Sequence, residues 1–174
     1  MKSVIRLAPA ILGAFVLCVG VLAQQSEALA SSAPRVSGGG VVDGPLGTTS
    51  QLGFNATASG GEFLCVMAGR SGGFPFGPWD SISQMHVQGP VTAGSLSIGS
   101  GSATFAGAAT IHVIGKTAAG DVMAATLTDI PFVSWQTSGG AGVARHRLSV
   151  NLPGLGWVAF GPSPLRSGRI TISP

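Results

Sequence analysis

The sequence has no tyrosine, few aromatic residues and little charge. Lysine, arginine, aspartate and glutamate make up 9% of the chain, against about 25% in an average soluble protein. The net charge is +3, but the basic residues are scattered rather than clustered. This excludes the basic patch that nucleic acid or an anionic membrane surface would require as a partner. The scarcity of aromatics also argues against the two aromatic girdles of a membrane-spanning barrel.

Cysteine is nearly absent as well, with Cys18 and Cys65 alone in the chain. Cys18 falls in an N-terminal segment that we expect to be removed, so Cys65 would have no partner within the mature chain. A disulfide framework is therefore excluded, and stability must come from apolar burial. As a lone thiol on an apolar strand, Cys65 is predicted to be buried and inert.

The first thirty residues have the pattern of a signal peptide. Lys2 and Arg6 precede an apolar run, Leu7–Leu22, which is too short and too interrupted by glycine and proline to span a membrane. Two short segments with the small residues that signal-peptide cleavage needs end at Ala23 and at Ala30. We therefore expect cleavage after one of these two residues, a secreted or periplasmic location, and no membrane span after processing.

The rest of the chain predicts an all-β protein. Residues 31–35 form a flexible leader, and residues 36–174 form a single domain. Within it, short apolar stretches alternate with polar residues at the period of a strand, and no segment has ten residues at helical period. The clearest stretch is Ser95–Ile114, interpreted as one long strand. Glycines such as Gly38–Gly40 are assigned to the connections. The prediction is one antiparallel β-sandwich or closed barrel of roughly eight to ten short strands.

Five segments carry a resemblance to a known group. In chain order they are Val36–Gly40, Leu52–Ala56, Met85–Gly89, Ser102–Ala109 and Ser167–Ile170. Together they resemble the post-COAP type of β domain found in secreted bacterial proteins. The resemblance covers most of the predicted domain. It implies a secreted β domain and leaves the activity open.

Large aromatic side chains in predicted loops are the candidate ligand-binding residues. Proline and glycine forbid regular structure in residues 72–80, which nevertheless carry Phe74, Phe76 and Trp79. These side chains either fold back as a lid over one end of the core or are displayed to a partner. Trp135 and Trp157, near strand ends, would join them in a rim suited to stacking on sugar rings or apolar ligands.

Catalytic machinery is not predicted. The segment Gly69–Gly73 matches the G-x-S-x-G pattern around Ser71, but the proline-rich residues after it cannot form the helix that this nucleophile elbow needs. The five carboxylates of the predicted domain lie in loops or at strand ends, and no pair is selected for acid–base chemistry. We therefore predict that the protein is not an enzyme.

No metal or cofactor site is predicted either. His86, His112 and His146 fall on three different predicted strands, without the spacing that makes a metal site readable in a sequence. Each is instead expected to be a partly buried, hydrogen-bonded histidine.

These observations favour a secreted, non-enzymatic β domain that binds a partner or has a structural role outside the cytoplasm. The partners considered are a carbohydrate, an apolar small molecule or a surface protein. The alternative is a small barrel of the lipocalin type, with an apolar ligand in a cavity lined by the inward faces. The third hypothesis is a serine hydrolase with Ser71 as its nucleophile.

Overall fold

The computed structural model describes residues 33–44, 48–71 and 77–174, with the backbone alone for residues 69–71. Ala33–Pro174 forms one compact unit. The predicted signal peptide, Phe74 and Phe76 lie outside the described residues. Within the described residues, no helix is long and apolar enough to cross a membrane.

The described chain is an all-β protein, as predicted, and of the two architectures considered it adopts the closed barrel. Consecutive main strands pair antiparallel, and β1 pairs with β10 to close the ring of eight. The short strands β5 and β8 add to its rim by pairing with β6 and β10. The strands are β1 Arg35–Asp43, β2 Thr49–Thr57, β3 Gly60–Ser71, β4 Ser81–Val91, β5 Ser97–Gly99, β6 Ser102–Lys116, β7 Val122–Thr137, β8 Gly139–Gly140, β9 Arg145–Leu152 and β10 Gly156–Ser173.

The inward faces are those that the alternation predicted. On β2, for example, Leu52 and Phe54 are buried while Gln51 and Asn55 are exposed. Because side chains of a strand point to opposite faces in turn, one face of every long strand contributes to a common interior. The interior is therefore a continuous apolar core.

Four phenylalanine rings fill the middle of the barrel. The ring centroids of Phe63 and Phe132 lie 4.9 Å apart, and Phe105 lies 5.5 Å from Phe54 and 6.0 Å from Phe63. Rings at these separations are in direct aromatic contact. The barrel is thus packed across its middle by side chains.

Several strands are longer than the sequence predicted. Residues 157–160 and 169–172 are two separate short apolar stretches in the sequence, but both are parts of the single strand β10, which has a bulge between Phe160 and Ser163. Conversely, the stretch Ser95–Ile114 is not one strand: it divides into β5 and β6 at a turn where Gly101 has a φ of 76°. A long strand can carry apolar residues on both faces, or it can contain a proline. In either case the alternation of apolar and polar residues that predicts a strand is lost.

The glycines of β1 close the barrel rather than form a loop. Gly38–Gly40 were assigned to a connection, but they lie in the middle of β1, opposite Gly168–Ile170 of β10. A Cβ atom on Gly40 would collide with the backbone oxygen of Ser167, and one on Gly168 would collide with that of Gly39. Glycine is needed here because the backbones of the first and last strands approach too closely for a side chain.

Candidate functional site

The three tryptophans predicted to share a rim lie in three different places. Trp79 is buried, Trp135 is half-buried on the outer wall, and Trp157 is exposed on the outer wall. The position of each tryptophan in a described strand or turn determines whether its side chain points inward or outward. The structure therefore does not assemble these three side chains into one aromatic rim.

Trp79 packs against the interior, as the lid interpretation predicts. Its side chain is 4% exposed, and its Nε1–H donates a hydrogen bond of 2.9 Å to the backbone oxygen of Met123. The indole also lies against Gly115 of β6, where a Cβ atom would be 2.7 Å from its Cδ1 atom. The indole thus joins the residues before β4 to β6 and β7.

We predict that Trp79→Ala destabilises the protein by about 3–5 kcal/mol, the usual cost of removing a buried tryptophan. Urea denaturation measures the change. Trp157→Ala is the matched control, because Trp157 is 57% exposed and its loss should change stability by no more than about 0.5 kcal/mol. Equal unfolding midpoints for the two variants would contradict the assignment of Trp79 as a structural lid.

A groove on the outer wall is built around Trp135. Thr104 on β6, Trp135 on β7 and Arg147 on β9 are direct neighbours in register, so their side chains form one row across three strands. Val133 and Ser149 continue the groove on one side, and Pro162 at the β10 bulge borders it. The groove has a volume of about 320 Å³.

Arg147 gives this groove a positive charge, and Arg145 lies two residues away on the same face of β9. Arg145 and Arg147 are both exposed on the outward face of β9. Among the described residues, a salt bridge of 3.4 Å joins Arg166 to Asp43, and neither Arg145 nor Arg147 takes part in an ion pair. An exposed guanidinium beside a tryptophan face and hydroxyl groups can bind an anion that also has a flat or ring-shaped body.

Trp157 lies away from this groove. It pairs with Asn151, which is four residues along β9 from Arg147. At about 3.3 Å per residue, that places the Trp157 and Arg147 positions ~13 Å apart along the wall. Trp157 and Trp135 are therefore separate surface features on the same side of the barrel.

A second outer groove brings together polar residues that the sequence could not pair. Glu62, His112 and Asp129 line it, and its volume is about 480 Å³. Asp129 has a φ of 56° at a bulge of β7, a conformation that is uncommon outside glycine. Within the described part of the chain, no three histidine, cysteine or carboxylate side chains are arranged to hold a metal ion.

Two of the histidines face each other on the outer wall. His86 and His112 are opposite in register on β4 and β6, with ring centroids 6.0 Å apart. His112 Nδ1 is hydrogen-bonded to the hydroxyl of Thr126 at 2.9 Å. His112 therefore has the hydrogen-bonded state that was predicted for each histidine, whereas the buried Nε2 of His86 has no hydrogen-bond partner among the described residues.

The third histidine differs from that prediction at both ring nitrogens. His146 is 3% exposed, and neither ring nitrogen has a hydrogen-bond partner among the described residues. Its ring stacks on Phe54 and Phe63 at centroid distances of 6.3 and 6.1 Å. Burial lowers the pKa of His146 from 6.5 to about 4, because the charged form would lose its hydration. The expectation of a hydrogen-bonded residue is wrong for His146.

Cys65 lies in the same part of the interior. It is buried, as predicted, and desolvation raises its pKa to about 12, although a hydrogen bond with Ser50 acts in the opposite direction. A thiol with so high a pKa remains protonated at neutral pH and is a poor nucleophile. Cys65 is thus a neutral, buried thiol at neutral pH in the metal-free protein.

Comparisons of this chain with protein families, curated proteins and solved structures give no match. The resemblance to post-COAP-type domains stays a prediction. The class that the structure itself defines is a closed, antiparallel, eight-stranded β-barrel with a filled middle.

Proposed function

We propose that the protein is a secreted, non-enzymatic binding domain that recognises an acidic polysaccharide on the outer wall of its barrel. The observation that carries this proposal is the groove of about 320 Å³ in which half-buried Trp135 lies beside the exposed Arg147. The location outside the cytoplasm is supported by the signal-peptide pattern of residues 1–30.

The groove offers three kinds of contact that an acidic sugar requires. The Trp135 indole provides an apolar face for a sugar ring, and the Arg147 guanidinium provides a bidentate donor for a carboxylate. Thr104 and Ser149 provide hydroxyl groups in the same groove. A saccharide chain is long and can lie along an open wall, so a shallow groove suits it better than a deep pocket would.

The packed interior favours the outer wall over the alternative of an apolar ligand in the lumen. Phe54, Phe63, Phe105 and Phe132 occupy the middle of the barrel, where such a ligand would have to lie. A drug-sized ligand is usually buried in a pocket of roughly 300–1,000 Å³. Binding in the lumen would therefore require these rings to move apart.

The test is affinity electrophoresis or calorimetry with polygalacturonate, using a neutral dextran as the comparison polymer. Trp135→Ala and Arg147→Gln should each weaken binding to polygalacturonate about tenfold or more, because they remove the stacking face and the charged donor. Trp157→Ala is the matched control and should bind like the wild type. Binding that is equal for both polymers, or unchanged in Trp135→Ala, would contradict the proposal.

A further inference from the structure

A small cavity opens inside the barrel wall where β1 ends. It lies between Asp43 at the end of β1 and the β10 bulge at Phe160–Ser163. Its inner lining includes Cys65, Met67 and His146. The cavity volume is about 20 Å³, which is enough for a single water-sized occupant. Only a very small ligand fits a space of this size.

His146 points to a ligand because its burial is otherwise unexplained. Both ring nitrogens lack hydrogen-bond partners among the described residues, although the side chain is 3% exposed. Buried polar groups in native proteins are nearly always paired, so an unpaired one needs a reason. A phenylalanine would stack on Phe54 and Phe63 equally well and would leave no nitrogen unpaired. An imidazole nitrogen free to donate its lone pair is the form that binds a metal.

The two sulfur atoms define which metal fits. Cys65 and Met67 are two residues apart on β3 and are both buried towards the interior. A thiolate and a thioether are soft ligands that favour Cu(I), whereas magnesium and calcium favour oxygen. Zinc structural sites usually need four nitrogen or sulfur ligands, and the described residues hold no cluster of three histidine, cysteine or carboxylate side chains.

We propose that this cavity binds one Cu(I) ion through His146, Cys65 and Met67. On binding, the Cys65 S–H bond breaks, its proton leaves to solvent and a copper–sulfur bond forms. The copper keeps its oxidation state, so no oxidant or reductant takes part. The site is separate from the Trp135 groove and does not depend on the proposed saccharide binding.

The test is an anaerobic titration of metal-free full-length protein with Cu(I), in competition with the chromogenic chelator bicinchoninate. The Cys18→Ser background leaves Cys65 as the single thiol. We expect one Cu(I) per chain to be removed from the chelator. Cys65→Ala and His146→Phe should each weaken binding by at least about tenfold, because each removes a ligand. His112→Gln is the matched control, since His112 is exposed on the outer wall, and it should bind like its background.

Two results would overturn the proposal. One is no competition with the chelator by the folded Cys18→Ser protein, which would mean that the cavity does not bind Cu(I). The other is stoichiometric binding that survives in Cys65→Ala. Near-UV circular dichroism checks that each variant is folded, and Cys65→Ala gives an independent answer if His146→Phe alters the barrel.

Discussion

Phe105→Ala should destabilise the barrel by about 3–5 kcal/mol, the range for removing a fully buried phenylalanine. The side chain is 0% exposed and contacts the rings of Phe54, Phe63 and Phe132. These rings come from β2, β3 and β7, so the cavity left by Phe105 cannot close without moving several strands. Urea denaturation monitored by circular dichroism measures the loss.

Leu64→Ala is the control for this prediction. Leu64 is 39% exposed on the outer wall of β3, so its truncation should change stability by about 0.5 kcal/mol or less. Phe105→Leu, which keeps much of the volume, should cost less than Phe105→Ala. A Phe105→Ala protein as stable as Leu64→Ala would show that the barrel middle is hollow rather than packed.

His146→Phe should make the metal-free protein more stable and less sensitive to acid. At neutral pH, removing buried nitrogens that lack hydrogen bonds should gain about 1–3 kcal/mol. The pKa of His146 falls from 6.5 to about 4 on folding. Between these values the unfolded chain binds a proton that the folded chain does not, so the wild type loses stability as the pH falls from 6.5 to 4.

Each pH unit in that window lowers the free energy of unfolding of the wild type by about 1.4 kcal/mol. Between pH 6.5 and 4 the wild type should therefore lose on the order of 3 kcal/mol more stability than His146→Phe. The measurement is urea denaturation at pH 7, 5.5 and 4 after treatment with a chelator. His112→Phe is the control, because it removes an exposed histidine and should keep the acid sensitivity of the wild type. Parallel pH profiles for the wild type and His146→Phe would contradict the burial of an unpaired imidazole.

Together, these two substitutions separate packing from function in the interior. Phe105 has a packing role and no binding role, so its replacement should lower stability. We expect His146 to reduce stability in the metal-free protein, and a residue that lowers stability where an apolar residue would fit is typical of a binding site. A rise in stability together with a loss of Cu(I) binding would be the expected signature.

The alternation of apolar and polar residues was sufficient to predict the fold class and most inward faces. The alternating apolar residues around Leu52 on β2, Phe105 on β6 and Leu148 on β9 all face the interior. Barrel closure was not predictable, because it depends on the pairing of β1 with β10 across more than a hundred residues. The glycines at that seam look like loop residues in the sequence, since the sequence does not show how closely two strands approach.

The candidate sites were less accessible to sequence reasoning. Trp135 was singled out because it is a large aromatic, but its neighbour Arg147 comes from another strand, and only the register joins them. Cys65 was predicted to be buried and His146 to be partly buried, yet nothing in the sequence showed that they line one cavity. Local patterns report which face a side chain occupies, and they do not report which residues meet across the barrel.

The most direct measurement is a two-dimensional NMR titration of the tryptophan indole N–H signals with oligogalacturonate. The chain has three tryptophans, and single Trp→Phe variants assign each signal. Recognition on the outer wall predicts that the Trp135 signal shifts and saturates, while the signals of buried Trp79 and distant Trp157 stay in place. A shift of the Trp79 signal without one at Trp135, or no shift at any signal, would contradict the account.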